Sequence, residues 1–281
     1  MSAQTQAQAQ YRPTFFRLLR SEFRKLTSLR STWVISILTI AFYLLIAFFV
    51  AQGVDSMSNY WSPAEMEVFT SSYMVTSIFQ LALLFGIAFG AMSMTSEYSH
   101  NTIQTSLLAS RSRLSFYAAK LVVLTIFWGI VSALALLLSA GLIQLRISAH
   151  DVSLPFGDFG FWLSLATCAI VLICGVVMSA GMGAVLRSTV GTTTFMFGIV
   201  LVLPILQIIP LDFIEDLTPY FPINLMTAAV QPREEGLASN LVNDLVISDD
   251  WLSANGSMLV LIIYATVFIA LGAFSLKKRD A

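Results

Sequence analysis

The side chains able to carry chemistry are few in this 281-residue chain, and the richest group lies in the polar segment 96–117. Glu97, His100, Arg111 and Arg113 stand here, and the apolar residues between them follow a helical spacing. A short helix of this kind suits docking into a groove of a partner protein. The alternative is an ordinary amphipathic turn, whose arginines only mark the side of a membrane on which it lies.

The spacing of the Cys and His residues does not predict a catalytic or metal-binding site. Cys168 and Cys174 are six positions apart, a spacing that points them to different faces of one helix. His100 and His150 lie at or beyond the ends of apolar segments, and no Cys-His, Ser-His or metal site is formed. The sequence contains no Gly-x-x-x-x-Gly-Lys-Ser/Thr phosphate-binding loop. We therefore expect neither an enzyme nor a cofactor or metal bound by this chain.

Composition decides the class of protein in which these residues stand. The chain is 57% hydrophobic and 11% charged, whereas an average soluble domain carries roughly 25% charged residues. This leaves too little polar surface to cover a soluble globule, and it indicates a polytopic membrane protein. A net charge of −1 provides no basic excess, so we expect no nucleic-acid partner.

Six runs without Asp, Glu, Lys or Arg are each long enough to cross a bilayer. They contain 24 to 29 residues, whereas roughly 20 helical residues span a hydrocarbon core of ~30 Å. An open sheet would leave backbone groups unpaired in lipid, so the runs must be helices. The sequence thus predicts an all-α integral membrane protein whose transmembrane domain, residues 31–281, has six helices. Their predicted limits are 32–53, 72–95, 118–144, 160–186, 189–210 and 256–276.

Lysines and arginines divide sharply between the two sides of the predicted bundle. Thirteen of the 15 fall on the side that holds both termini, and Arg146 and Arg233 fall on the other. The positive-inside rule places both termini in the cytoplasm. The acidic loop 211–255 is then extracellular, where it either favours cationic ligands or is a solvated connection.

Two segments precede the first predicted transmembrane helix. Residues 1–13 are rich in Gln and Ala and are predicted to be disordered. Residues 14–30 predict a cytoplasmic, interfacial amphipathic helix that either anchors the topology or contacts a partner. Its apolar stripe consists of Phe15, Phe16, Leu19, Phe23 and Leu26. Its charged residues are Arg17, Arg20, Glu22, Arg24 and Lys25.

Small residues at four-residue spacing occur in the second and fourth predicted helices. Gly86 and Gly90 form one pair, and Gly175, Ser179 and Gly183 form the other set. Such faces allow close helix packing in lipid, either within one chain or between two chains. Ionisable residues are predicted only at or beyond the ends of the membrane helices, which argues against an ion-coupled transporter.

The segment between the second and third helices resembles the cytoplasmic loop of ABC-2 type permeases, the membrane subunits of ATP-binding-cassette exporters. The positions that fit the family's pattern are Glu97, Thr102, Leu107, Arg111, Arg113 and Lys120. Asn101 and Ser110 replace the usual Gly and Pro. Residues 19–33, LRSEFRKLTSLRSTW, are similar to the start of many actinobacterial permeases of this kind. The resemblance in helix order extends over the whole chain.

The resemblance implies an ABC-2 permease fold, similar to that of type V exporters, in a bacterial plasma membrane. Two permeases, identical or related, would form the pathway, driven by two copies of a separate ABC ATPase that holds ATP and Mg²⁺. The ATPase would contact the coupling loop 96–117. Implied coupling residues are Glu97, Tyr98, His100, Thr102, Ile103, Leu107, Arg111 and Arg113. Implied pathway or dimer-interface residues are Gln80, Gly86, Gly90, Thr193, Pro204 and Gln207.

The implied substrate is amphipathic or hydrophobic, such as an antibiotic, a peptide or a lipid-like molecule. Gln80 and Gln207 would lie near the pathway or form helix–helix hydrogen bonds. Pro204 would kink the fifth helix. Residues 219–226 would form a re-entrant helical piece. A non-transporting membrane scaffold or sensor is the alternative function. Glu234 and Glu235 resemble the glutamate pair of intramembrane CAAX-type proteases, but this pair lies in a loop with no histidine after it.

Overall fold

The computed structural model describes residues 14–57, 60, 71–99, 112–150, 153–209, 211–233 and 251–278. Within these ranges the chain is helical and contains no β-strand. The α-helices in chain order are α1 (Phe15–Ser28), α2 (Arg30–Met57), α3 (Ser72–Thr76), α4 (Phe79–Ser99), α5 (Arg113–Ile147), α6 (Phe159–Leu186), α7 (Thr189–Phe197), α8 (Asp212–Leu217), α9 (Pro222–Ala229) and α10 (Ala254–Lys278).

Six helical stretches in the described part are long and apolar enough to cross a membrane, which confirms the predicted all-helical bundle at this level. We call them the first to sixth spans. They are Arg30–Gly53, Ser72–Tyr98, Arg113–Ile147, Phe159–Leu186, Thr189–Ile208 and Ala254–Lys278. Their lengths and hydropathy suggest a multi-pass membrane protein.

The helices around segment 96–117 extend further than the sequence predicts. α4 continues to Ser99 and α5 begins at Arg113, so both ends of the predicted loop are helical. Ser112 accounts for this start, because its hydroxyl accepts a hydrogen bond from the Ser115 N–H at 3.1 Å. The Ser112 N–H donates in return to the Ser115 hydroxyl at 3.2 Å. Residues 100–111 lie outside the described ranges.

The fifth span is not one regular α-helix. α7 changes at Gly198–Val202 to wider π-helical turns, and then at Leu203–Ile208 to tighter 3-10 turns. Pro204 lies at the start of the 3-10 segment. Since proline has no amide hydrogen, it cannot continue the α-helical hydrogen bonding. The disruption expected at Pro204 therefore takes the form of a change in helix type.

The second and fourth spans pack closely through their small residues. A Cβ on Gly86 would lie 3.2 Å from Val176 Cγ2, and a Cβ on Gly90 would strike the carbonyl oxygen of Val176. The Ser179 hydroxyl donates to the Ile87 carbonyl at 2.6 Å. This close approach shows packing within one chain, one of the two alternatives that the spacing left open, and a role of Gly86 and Gly90 at a dimer interface stays a prediction.

The predicted loop 211–255 is helical over its first half. α8 and α9 lie here, separated by a 3-10 turn at Thr218–Tyr220. α9 packs against α10 and α6 and buries Leu225 and Met226. The segment 219–226 thus contributes to a helix on the bundle, while residues 234–250 lie outside the described ranges.

Candidate functional site

Four charged side chains meet where α1 crosses the adjoining ends of α4 and α5. Lys120 Nζ donates to Glu97 Oε1 at 2.7 Å and to Glu22 Oε2 at 3.1 Å. Lys25 Nζ donates to Glu22 Oε1 at 2.7 Å and lies 3.6 Å from Glu97 Oε1. We call Glu22, Lys25, Glu97 and Lys120 the ion cluster. It joins α4 and α5, which are neighbours in the sequence, to α1, whose Glu22 is 98 positions from Lys120.

Three members of the ion cluster are removed from solvent. Glu22, Glu97 and Lys120 are 4%, 6% and 8% exposed, whereas the Lys25 side chain is 43% exposed. Isolated charges at such depth would cost several kcal/mol each, but two carboxylates and two ammonium groups here balance one another. The Phe116 ring lies 5.5 Å from Lys25 Nζ and 5.6 Å from Lys120 Nζ, which adds favourable cation–π contacts.

The spacing of α1 explains how Glu22 reaches the cluster. Leu18, Glu22 and Leu26 are four residues apart, share one helical face and are all buried. The predicted apolar stripe divides in consequence. Leu26 packs into the bundle, whereas Phe15, Phe16 and Phe23 are exposed on the helix. The face that binds the bundle is therefore centred on an acidic residue rather than on the phenylalanines.

Other contacts assemble the same end of the bundle. The Arg187 guanidinium lies 5.0 Å from the ring of Tyr98, and Arg113 Nη1 donates to the Leu276 carbonyl at 3.2 Å. Arg187 has a left-handed backbone conformation, with φ 55°, which ends α6 and allows the tight turn into α7. The basic residues assigned to one side of the membrane thus share one end of the bundle, wherever the structure describes them.

A largely apolar cavity of about 350 Å³ opens beside the ion cluster. All four cluster members line it together with Leu26 and Leu29 of the α1–α2 corner. The full lining is Glu22, Lys25, Leu26, Ser28, Leu29, Ser93, Ser96, Glu97, Lys120, Val123 and Leu124. The cavity therefore extends from the charged groups along α4 and α5 toward the middle of the bundle.

The predicted coupling residues are only partly described. Glu97, Tyr98 and Arg113 lie on the facing ends of α4 and α5. The ends of these helices are tied together because Lys120 binds Glu97. The remaining coupling residues, His100, Thr102, Ile103, Leu107 and Arg111, lie outside the described ranges.

The predicted pathway residues lie on the second and fifth spans. Gln80 Nε2 donates to Thr227 Oγ1 of α9 at 3.3 Å, which is the helix–helix hydrogen bond considered for it. Thr193, Pro204 and Gln207 are half-buried along the fifth span. The Thr193 hydroxyl donates to the Thr189 carbonyl of its own helix at 2.8 Å. The positions on the second span are thus engaged within the chain.

From the sequence, Lys120 was only a position that fits the permease pattern, and Glu22 was only one of the charged residues of an amphipathic helix. Neither position predicted a buried ion pair. One signal was available, because Glu22 lies at i+4 from Leu18 and i−4 from Leu26, and so on the face that those leucines bury. Its partner was not visible, since Lys120 is 98 positions away.

The cluster's chemistry is ion pairing. Within the described residues, no group of three His, Cys, Asp or Glu side chains is placed to hold a metal ion. The arrangement holds α1 against α4 and α5, and breaking one of its pairs would leave buried charge.

Six helices in the described residues are long and apolar enough to cross a membrane, and they indicate a multi-pass α-helical membrane protein. The ion cluster joins two of these helices, the second and third spans, to α1. It belongs to the DUF2705 family, described as proteins of unknown function, whose sequence profile matches residues 64–281. Among curated proteins, none matches the chain. The matched region contains Glu97 and Lys120, whereas α1 with Glu22 and Lys25 precedes it.

Proposed function

We propose that the chain is the permease subunit of an ABC exporter, pairing with a second permease and driven by a separate ATPase. Segment 96–117, which resembles the family's coupling loop, would receive the movement of the ATPase. The substrate would be amphipathic or hydrophobic. ATP and Mg²⁺ would be held by the ATPase subunits.

The ion cluster is the observation that carries this proposal. Glu97 and Lys120 stand on the two helices that enter and leave the coupling segment, and they bind each other at 2.7 Å. Lys120 also binds Glu22 of α1 at 3.1 Å. A force applied to residues 100–111 would thus reach the second span, the third span and the interfacial helix together. Such a connection is what a membrane subunit needs if another chain supplies the energy.

The fifth span supports a pathway or dimer-interface role in a second way. It is the least buried of the six spans within the single chain. Its exposed residues include Val202 and Ile205, on either side of the half-buried Pro204. In this proposal the second permease covers part of that surface.

Co-expression tests the assembly. The chain alone should hydrolyse no ATP, and with its ATPase it should purify as a complex of two permeases and two ATPases. Adding candidate antibiotics, cationic peptides or lipids should reveal compounds that stimulate ATP hydrolysis. A chain that co-purifies with no ATPase would favour the scaffold or sensor function instead.

Glu97→Ala tests the coupling role within a working complex. We expect substrate-stimulated ATP hydrolysis and transport to fall, because the end of α4 loses its bond to Lys120. Glu215→Ala is the control, since Glu215 is an exposed acid of α8 away from the cluster. Unchanged stimulation and transport in Glu97→Ala would remove the coupling role.

A further inference from the structure

The outward surface of α1 forms a basic ledge next to the apolar cavity. Arg17, Arg20, Arg24, Lys25 and the small Ser21 and Ser28 line this shallow depression of about 530 Å³. The three arginines are exposed. Glu22, the only acid of α1, points away from the ledge into the bundle, where Lys120 and Lys25 bind it. The ledge therefore presents the exposed guanidinium groups of Arg17, Arg20 and Arg24, next to a Lys25 that also binds Glu22.

The basic ledge and the apolar cavity are continuous. Lys25 and Ser28 line both of them. Beyond these two residues the cavity is walled by Leu29 at the α1–α2 corner and by Val123 and Leu124 of α5. Val123 and Leu124 follow Lys120 by three and four positions, so they lie one helical turn further into the third span. The composite site thus passes from cationic surface to apolar interior over a short distance.

We propose that this composite site binds an anionic phospholipid of the surrounding membrane. Its phosphate would lie on the basic ledge, where guanidinium groups are well suited to phosphate oxygens. The first part of one acyl chain would enter the apolar cavity, whose volume of about 350 Å³ is in the range of small-molecule sites. The rest of the lipid would lie in the bilayer.

The remaining surface of α1 favours a lipid over a soluble partner. Phe15, Phe16 and Phe23 are 46%, 80% and 49% exposed beside the arginines. A helix with basic residues on one face and exposed aromatic residues on another is typical of membrane surfaces rich in anionic lipid. The proposal depends on a membrane location and does not depend on the transport function.

Native mass spectrometry of the full chain tests the proposal directly. Purified protein is mixed with phosphatidylglycerol and phosphatidylcholine of identical acyl chains, and the retained lipids are counted. We expect phosphatidylglycerol to be retained in preference. The double variant Arg20→Gln/Arg24→Gln should lose about 25-fold in phosphatidylglycerol affinity, since each basic residue near an anionic surface contributes about fivefold. Both side chains are exposed, so the fold should be unaffected.

Lys277→Gln/Lys278→Gln is the matched control, because it removes two exposed cations from the end of α10, away from the ledge. It should keep the wild-type lipid preference. Val123→Phe, which fills the cavity, should weaken retention of the lipid while leaving the arginines in place. Size-exclusion chromatography of each variant checks that the protein remains folded.

Three results would overturn the proposal. One is equal retention of phosphatidylglycerol by the wild type and the arginine variant. Another is displacement of the lipid by inorganic phosphate at the same concentration, which would make the ledge a site for free phosphate. The third is loss of an ATPase partner in the arginine variant with lipid retention unchanged, which would make the ledge a protein contact.

Discussion

At the scale of single residues, the ion cluster shows that a lysine near a membrane can have a structural role as well as a topological one. Lys120 is 8% exposed and binds two glutamates from different helices. Charges at helix ends mark the sides of a membrane. Burying an ion pair also costs less free energy at these positions than in the middle of the bilayer.

Replacing Lys120 by Met should strongly destabilise the protein. The change removes the cation shared by Glu22 and Glu97 and leaves two buried carboxylates close to each other, with Lys25 as the remaining cation. Losing one partner of a buried ion pair costs about 3–5 kcal/mol. Thermal unfolding in a single detergent should show a clearly lower transition temperature.

Two further variants test whether the loss of stability comes from the unpaired buried carboxylates. Lys277→Met, at an exposed site on α10, should unfold like the wild type. Glu22→Gln/Glu97→Gln/Lys120→Met removes the buried carboxylates together with the lysine and should recover much of the lost stability. A Lys120→Met protein as stable as the wild type would show that the cluster contributes nothing to stability.

At the scale of helices, small residues determine which spans touch closely. α4 packs on α6, and α6 packs on α10, through positions where a side chain has no room. A Cβ on Gly181 would lie 2.5 Å from the Phe268 carbonyl oxygen. The fourth span is therefore held between two others, which fits its high buried fraction.

Gly90→Ala should weaken the contact between the second and fourth spans. Its new Cβ would meet the Val176 carbonyl, and backbone atoms yield less readily than the tip of a side chain. Overpacking of this kind costs about 1–3 kcal/mol. Thermal unfolding in detergent provides the measurement.

Gly141→Ala is the control for helix propensity. It lies in α5, and its Cβ would have no atom within 4 Å. Because alanine favours a helix over glycine by about 1 kcal/mol, this variant should be as stable as the wild type or more so. Equal behaviour of the two glycine variants would contradict the close packing at Gly90.

At the scale of the whole molecule, the distribution of charge sets the expected orientation. The basic residues of α1, Arg113 and Lys120 in the first part of α5, and Arg187 gather at one end of the bundle, with the C-terminal end of α10. The positive-inside rule predicts that this end is cytoplasmic and that the turn before α6 is extracellular.

Cysteine labelling of intact cells should verify this orientation. Gly157→Cys, in the exposed turn before α6, should react with a membrane-impermeant maleimide. Lys278→Cys should react only after permeabilisation. Native Cys168 and Cys174 provide a low background because they are 0% and 7% exposed. The reverse pattern of labelling would contradict the predicted topology.

The sequence by itself determined the helical class and the positions of the long apolar helices that the structure describes. Both follow from local quantities, since a run of about 20 apolar residues must form a helix when its backbone groups lie in lipid. The runs without charge therefore located the six helical stretches that, within the described residues, are long and apolar enough to cross a membrane. Their ends were less certain because capping residues decide them, as Ser112 does for α5.

Only the tertiary structure decided which residues meet. Glu22, Glu97 and Lys120 come from three separate parts of the chain, and no periodicity links them. The same holds for Gly90. Its spacing from other small residues suits packing within a chain or between chains, and only the structure places it against Val176 of the same chain. The physical reason is that helix formation depends on neighbours in sequence, whereas ion pairing and close packing depend on neighbours in space.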